Sequence, residues 1–284
     1  MGAQRLAFVT LFPDIFQSFI QASLLGQAVR DGLVSFHFEN PRDYGLGRHK
    51  SVDDTPYGGG SGMVLRVDVL VATLEALEAR LGERPRRILL TPGGAPFRQA
   101  DARRLSLESS ITFICGRYEG FDARIEAHVD EELSLGDFVL CGGEVAAMAI
   151  SEAVVRLRPG VLGNELSVVE ESYGGPLLEY AQYTRPTEFR GAAVPSVLAG
   201  GHHGRILAWR KTDSEERTRA RRPDLYAPYA QAKAAADAAI AAEKSAKRAR
   251  RKRPPTSAGD IRVDCTEDAQ THAPTATFHP DEES

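Results

Sequence analysis

Three apolar runs in this chain end the same way. Arg87-Ile88-Leu89-Leu90 breaks into Thr91-Pro92-Gly93-Gly94, Ile111 to Cys115 breaks into Gly116-Arg117-Tyr118-Glu119-Gly120, and Phe138-Val139-Leu140-Cys141 breaks into Gly142-Gly143-Glu144. Short apolar runs bounded by glycine read as buried strands. Open α/β sheets bind ligands at the carboxyl ends of their strands, where glycine admits a close backbone approach with no Cβ in the way. Three such ends predict one small-molecule site built largely from backbone amides and carbonyls. Each loop taken alone also has the composition of a tight turn. No G-x-G-x-x-G and no G-x-x-x-x-G-K-[ST] occurs, so the common nucleotide cradles are excluded.

The rest of the first half fits an α/β protein. Leu6 to Leu11 reads as a strand, Pro13 to about Asp31 as a turn running into a helix, and Leu33 to Phe38 as a second strand. Val67 to Leu81 repeats apolar residues at helical spacing with Glu75, Glu78 and Arg80 outside. The Arg87 strand follows, then a helix over Gln99 to Leu107, the Ile111 strand, a helical Asp122 to His128 and an extended Val129 to Leu133. A strand from Phe138 to Cys141 and a helix from Val145 to Arg156 complete the pattern. Strands alternating with helices predict a parallel sheet covered on both faces.

After Pro159-Gly160 the periodicity stops. Asn164 to Pro176 is polar with glycine and no face to bury, which predicts a linker that orders only with a ligand. Short helices are expected over Val194 to Ala199, Gly204 to Thr212 and Glu215 to Arg219. Arg205, Arg210, Lys211, Arg217, Arg219, Arg221 and Arg222 gather there with His202, His203 and Trp209. Such a cluster suits either a solvated face or phosphate binding, since guanidinium groups that neutralise phosphates supply most RNA affinity. Ala230 to Ala246 has helical propensity without an apolar stripe. A basic run follows from Lys244 to Arg253, and the last forty or so residues are expected to be disordered.

Composition adds exclusions. The formal net charge of -4 does not by itself suggest a nucleic-acid binder, so the local basic cluster carries that argument. Three cysteines without C-x-x-C argue against a zinc site or a disulfide framework, and no metal-ligand set is expected. No signal-peptide pattern opens the chain and no apolar run approaches the length of a membrane span, so a soluble, cytoplasmic protein is expected, with no membrane partner.

The order CGRYEG, SLGDFVLCGGE, PGVLG and YTRP, preceded by Asn40-Pro41-Arg42-Asp43-Tyr44 and Val52-Asp53-Asp54-Thr55-Pro56-Tyr57-Gly58-Gly59-Gly60-Ser61-Gly62-Met63, resembles bacterial tRNA (guanine37-N1)-methyltransferases of the SPOUT superfamily. The resemblance runs from about Leu6 to about Tyr226. It implies an α/β fold whose parallel sheet carries a deep trefoil knot around residues 88 to 143, plus a small all-helical C-terminal domain. The implied organisation is a knotted domain over residues 1–163, a flexible linker over 164–180, a helical tRNA-binding domain over 181–245 and a disordered tail over 246–284. It also implies a homodimer whose active site draws on both subunits, with tRNA as partner and no DNA.

The implied cofactor is S-adenosylmethionine. Leu90, Thr91, Pro92, Gly116, Tyr118, Glu119, Gly120, Ser134, Leu135, Gly136, Asp137, Phe138, Val139 and Leu140 are expected to hold it, with Gly142 and Gly143 leaving room beside it. Asp137 suits either a turn cap or the neighbourhood of the sulfonium, and Glu119 either a ligand contact or a partner for Arg117. Mg2+ enters only as an ion without a recognisable protein site. The resemblance places Asp53, Gly58 and Gly59 near the target base; Glu179, Arg185 and Arg210 are expected on the substrate side, where Arg185 suits either a phosphate contact or a brace that fixes the linker.

Methylating guanine N1 requires a base for its proton, a donor for charge growing on O6, and a methyl held in line. The resemblance puts the base at Glu171 and the arginine at Arg156, with Glu170 as the reserve. Here the chain departs from its relatives, which usually carry aspartate in an E-D-S-F context where this chain reads Val169-Glu170-Glu171-Ser172-Tyr173. The extra methylene carries the carboxylate about 1 Å further out, a displacement that costs about a hundredfold in rate unless the loop compensates. The other readings are a SPOUT methyltransferase acting on another RNA base or a ribose, and a non-catalytic RNA-binding protein.

Overall fold

The computed structural model describes residues 2–163 and 171–252, the last five of these by backbone alone. One unit ends at Tyr229 and a second begins at Ala230. Five strands form the main sheet: β1 (Gln4–Val9), β2 (Val34–Glu39), β5 (Arg86–Pro96), β6 (Ser110–Cys115) and β7 (Glu131–Ser134). Their order is β2-β1-β6-β5-β7 and every pairing is parallel. The expected parallel sheet is therefore present. Two short hairpins lie outside it, β3 (Asp53–Asp54) with β4 (Val64–Leu65), and β8 (Glu188–Phe189) with β9 (Ala192–Ala193).

Alternation along the strands sorts the core into two layers. Leu6 and Phe8 of β1, Ile88 and Leu90 of β5, and Ile111 and Phe113 of β6 pack on one face against α2 (Ser23–Arg30), α4 (Gln99–Ser106) and α5 (Glu144–Val155). Ala7, Val9, Leu89 and Ile114 point to the other face, which α3 (Val67–Leu81) covers with Val69, Leu70, Leu74 and Leu77. Phe8 stands 4.6 Å from Phe16 and 5.3 Å from Phe38 by ring centroids, anchoring the first layer. Gly82 closes α3 at φ +73°, a backbone state that costs glycine nothing.

The structure corrects four sequence expectations. The helix expected to run on to Asp31 is a 3-10 turn over Pro13–Phe16, then α1 (Gln17–Gln21), then α2, with extended backbone at Ala22. Gly26 permits the break, because a Cβ there would lie 2.6 Å from the Gln21 carbonyl carbon. Phe138 to Cys141 is not a strand: its apolar side chains stay outside the sheet, with Val139 83% exposed. The two separate helices expected after Gly204 are one, α7 (His203–Arg221), preceded by the short α6 (Ser196–Ala199). Thr212, Asp213 and Ser214 look like a breaker, yet Thr212 donates to the Ala208 carbonyl at 3.1 Å and Asp213 accepts from the Ala181 amide at 2.6 Å. The hydroxyl bonds back into the helix and the carboxylate serves a neighbouring segment. Finally, α8 (Pro223–Lys252) continues past position 246, where the tail was expected to begin.

Candidate active site

The carboxyl ends of β5, β6 and β7 surround a cavity of about 410 Å³. Fourteen expected cofactor residues line it: Leu90, Thr91, Pro92, Gly116, Tyr118, Glu119, Gly120, Ser134, Leu135, Phe138, Val139, Leu140, Gly142 and Gly143. Gly136 and Asp137 are absent from its wall. Asp137 is exposed, and Gly136 packs under Phe138, whose ring an added Cβ would meet at 2.8 Å. Leu133 pairs with both Leu90 and Ala95, so the chain between them bulges out of the ladder, and this bulge supplies Thr91 and Pro92 to the rim.

Glycine shapes the floor. Gly143 donates its amide to the Gly116 carbonyl at 2.9 Å, and a Cβ on Gly143 would lie 2.8 Å from Cys115 Cα. Two backbones therefore touch where the sequence suggested free space beside a ligand. Gly142 likewise does not face open volume: its Cβ would come within 2.6 Å of both the Arg117 guanidinium carbon and a Glu144 carboxylate oxygen. Those two side chains form an ion pair at 2.9 Å, and Glu144, 1% exposed, also accepts from Thr10 Oγ1 at 2.8 Å. Arg117 stacks over Phe12 at 4.4 Å. Glu144 rather than Glu119 is thus the ion-pair partner of Arg117, and Glu119 is left on the cavity wall with Glu126 and Glu132.

The glycine-rich loop between β3 and β4 meets this wall. Glu119 N donates to the Met63 carbonyl at 2.9 Å, Leu65 N to Gly120, and Asp122 N to Leu65. Gly62, at φ +89°, passes so close to the Glu119 side chain that any Cβ would overlap its carboxylate. Asp53 is half-buried on β3, while Gly58 and Gly59 form an exposed turn at φ +88° and +78°.

A second constellation stands at the end of α5. Arg156 Nη2 donates to both oxygens of Glu171, at 2.6 and 2.7 Å. The longer carboxylate of this chain therefore still reaches the arginine that the resemblance pairs with it. Arg103, on α4, donates to the Tyr173 carbonyl at 3.0 Å and the Gly174 carbonyl at 3.3 Å, and Arg222 to the Tyr173 hydroxyl at 3.1 Å. Residues 171–174 are thus bonded by Arg156, Arg103 and Arg222, from three different parts of the sequence. Glu170 and the rest of 164–170 lie outside the described residues. Neither Arg156 nor Glu171 lines the cavity. Arg156 instead borders a smaller one of about 260 Å³ with Phe19, Leu24, Leu25 and Val155.

The segment after Tyr173 runs along α7. Leu178 N donates to Thr218 Oγ1 at 2.9 Å, and Arg217 Nε to the Glu179 carbonyl at 3.2 Å. The Glu179 carboxylate accepts from Gln182 at 2.6 Å, and Arg210 lies 4.5 Å over the Tyr180 ring. Arg185 is exposed, as are Arg205, Lys211, Arg219 and Arg221. Arg217 and Arg222 are engaged with Asp213 and Asp224, so the basic cluster divides into structural and open members. Sequence reading missed Arg103, which no motif marks. It also gave no role to Glu144, although that residue closes the quoted SLGDFVLCGGE run. Among the described residues no group of three or more His, Cys, Asp or Glu is placed to hold a metal.

A parallel sheet with a cavity of small-molecule size at its carboxyl edge, and a carboxylate held by a guanidinium at the end of α5, defines an α/β protein with two candidate stations for chemistry. Comparison with known proteins makes this particular. The chain belongs to the tRNA (guanine-1)-methyltransferase family, whose model, described as "tRNA (Guanine-1)-methyltransferase TrmD", matches residues 4–228. It is 51% identical over 245 residues to a tRNA (guanine-N(1)-)-methyltransferase of Sorangium cellulosum, covering 78% of this chain and 93% of that protein. Enzymes of the same name from Brevibacillus brevis and Syntrophotalea carbinolica are 51% and 53% identical over 222 and 219 residues, covering 90% and 87% of their lengths.

Proposed function

We propose that this chain transfers a methyl group from S-adenosylmethionine to N1 of guanine 37 in the tRNA anticodon loop, at a G37 preceded by G36. Membership of the family supports methyl transfer to N1 of a tRNA guanine. The donor fits the cavity on physical grounds. A volume of about 410 Å³ lies in the range of about 300–1,000 Å³ usual for small-molecule sites. Apolar walls from Leu135, Phe138 and Val139 suit an adenine, and three carboxylates, Glu119, Glu126 and Glu132, suit a cationic ligand. Bound there, S-adenosylmethionine supplies an electrophilic methyl carbon. No magnesium ion is assigned to any residue.

The single observation that carries the mechanism is the two-oxygen grip of Arg156 on Glu171. Glu171 would take the N1 proton as N1 accepts the methyl group, which S-adenosylmethionine held by the cavity residues would supply with its thioether as leaving group. Arg156 fixes the carboxylate and presents its remaining N–H groups to the charge that grows on guanine O6. Because the pair stands outside the cavity of its own chain, we assign the complete site to a homodimer in which one subunit's pair faces its partner's cofactor. The exposed Phe12, Ile15, Leu24 and Val145 offer apolar surface for that contact. The proposal includes the trefoil knot over residues 88 to 143 and a tRNA-binding role for the helical segment from residue 181. A cytoplasmic location goes with tRNA as substrate.

Mapping the methylated nucleoside by mass spectrometry, with S-adenosylmethionine and unmodified tRNA, tests this reading. The expected product is 1-methylguanine at position 37, with a tRNA carrying A36 reacting far more slowly than its G36 parent. Methylated ribose, another base, or equal rates for both tRNAs would contradict it.

A further inference from the structure

We infer that the C-terminal part of α8, from Lys244 to Lys252, is a cationic arm that binds RNA phosphates. The match to the family model ends at residue 228, and this segment lies beyond it. Lys244, Lys247, Arg248, Arg251 and Lys252 follow the spacing i, i+3, i+4, i+7, i+8, which places five cationic positions on one helix face. Arg250 lies off that face, and no Asp or Glu occurs between 244 and 252.

Packing does not account for the arrangement. Every residue from 231 to 247 is exposed, so the helix carries no core-facing stripe there. Alanine-rich composition and the Glu243–Lys247 pair at 2.7 Å sustain the helix instead. The stripe opposes that stability: positions 244/248, 247/251 and 248/252 are like-charge pairs at i, i+4, a spacing unfavourable to a helix. The helix dipole favours cations only in the last turn, and this stripe extends over two. A row of cationic positions on a helix whose residues 231–247 are all exposed is what a polyanion relieves, by exchanging condensed counterions for the protein's charges. The polyanion this enzyme meets is tRNA.

The arm should add affinity without sequence preference and without touching chemistry. The test compares the full chain with the variant carrying K244Q, K247Q, R248Q, R251Q and K252Q, and glutamine keeps the helix propensity. Binding to tRNA and to an unrelated RNA duplex is measured across salt concentrations, alongside single-turnover methylation at saturating tRNA. The expected variant binds both RNAs about tenfold more weakly at low salt, with a salt slope smaller by about 2 to 4, and methylates at the parental rate. Arg248→Lys with Arg251→Lys, which keeps the charge, should retain the full slope. Unchanged affinity and slope in the glutamine variant would overturn the inference, as would loss of binding only to phosphatidylserine vesicles. A chain that fails to methylate tRNA yet loses RNA affinity with the stripe would refute the proposed reaction and leave the arm standing.

Discussion

The cavity and the carboxylate are built by opposite means. The cavity floor is backbone against backbone, with Gly143 on Cys115 and Gly116, and β5 bulging between two pairings with Leu133. The Glu171 station is side chain against side chain. Arg156 reaches it across 15 residues of sequence, while Arg103 and Arg222 reach the adjoining Tyr173 across 70 and 49. A backbone site tolerates exchange of its outward side chains and rejects a single Cβ. A side-chain station behaves in reverse, with tolerant backbone and irreplaceable guanidinium groups.

The largest effect that sharpens this contrast is expected at Gly143. Gly143→Val drives a branched side chain into the Cys115–Gly116 backbone and should cost about 3 kcal/mol in denaturant unfolding, together with S-adenosylmethionine binding measured by calorimetry. A folded variant with parental affinity would show that the floor yields. Gly142→Val gives a less direct reading, because its side chain meets the Arg117–Glu144 pair before any ligand.

An intermediate effect belongs to Arg103. Arg103→Ala removes the donor to the Tyr173 and Gly174 carbonyls, and a charged hydrogen bond of about 1.5 kcal/mol corresponds to about tenfold in the transfer rate. Cofactor affinity should stay at the parental value. If affinity fell and the rate held, the two regions would not be separable as described.

The smallest effect concerns acid stability. Burial acts to raise the Glu131 pKa, but hydrogen bonds and charge from Arg104 and Arg86 outweigh it and hold the carboxyl below its ordinary value. A depressed folded pKa contributes stability that is present above the ordinary glutamate value and is lost as pH falls through the folded one. Glu131→Gln should therefore flatten the acid side of the stability profile and leave the methyl-transfer rate unchanged at neutral pH. An unaltered acid limb would remove this network from the account.

The same contrast explains what was legible in the sequence. The strand ends announced the cavity because glycine after an apolar run is a local signal, and fourteen of its wall residues were named through the family resemblance. The parallel sheet followed from the alternation of strands and helices. Phe138 to Cys141 misled because an apolar run that lines a cavity has the composition of one that enters a sheet. The break at Ala22 was hidden, since the permission comes from Gly26 four residues later. Arg103 and Glu144 were illegible for a different reason: their partners are distant in sequence, and neither an arginine on a charged helix nor a glutamate at a helix start proclaims a specific contact. Glu171 was named through resemblance, and the geometry of its arginine could be read only in three dimensions.

Single-turnover methyl transfer to G37 tRNA by Glu171→Gln tests the central claim most directly. Glutamine keeps the size of the side chain and removes the base, so the transfer step should fall by about 10²- to 10⁴-fold while tRNA and cofactor binding persist. Glu170→Gln, the neighbour, should transfer at close to the parental rate. Parental transfer by Glu171→Gln with collapse in Glu170→Gln would move the proton to Glu170, and full activity in both would remove the linker carboxylate from the reaction.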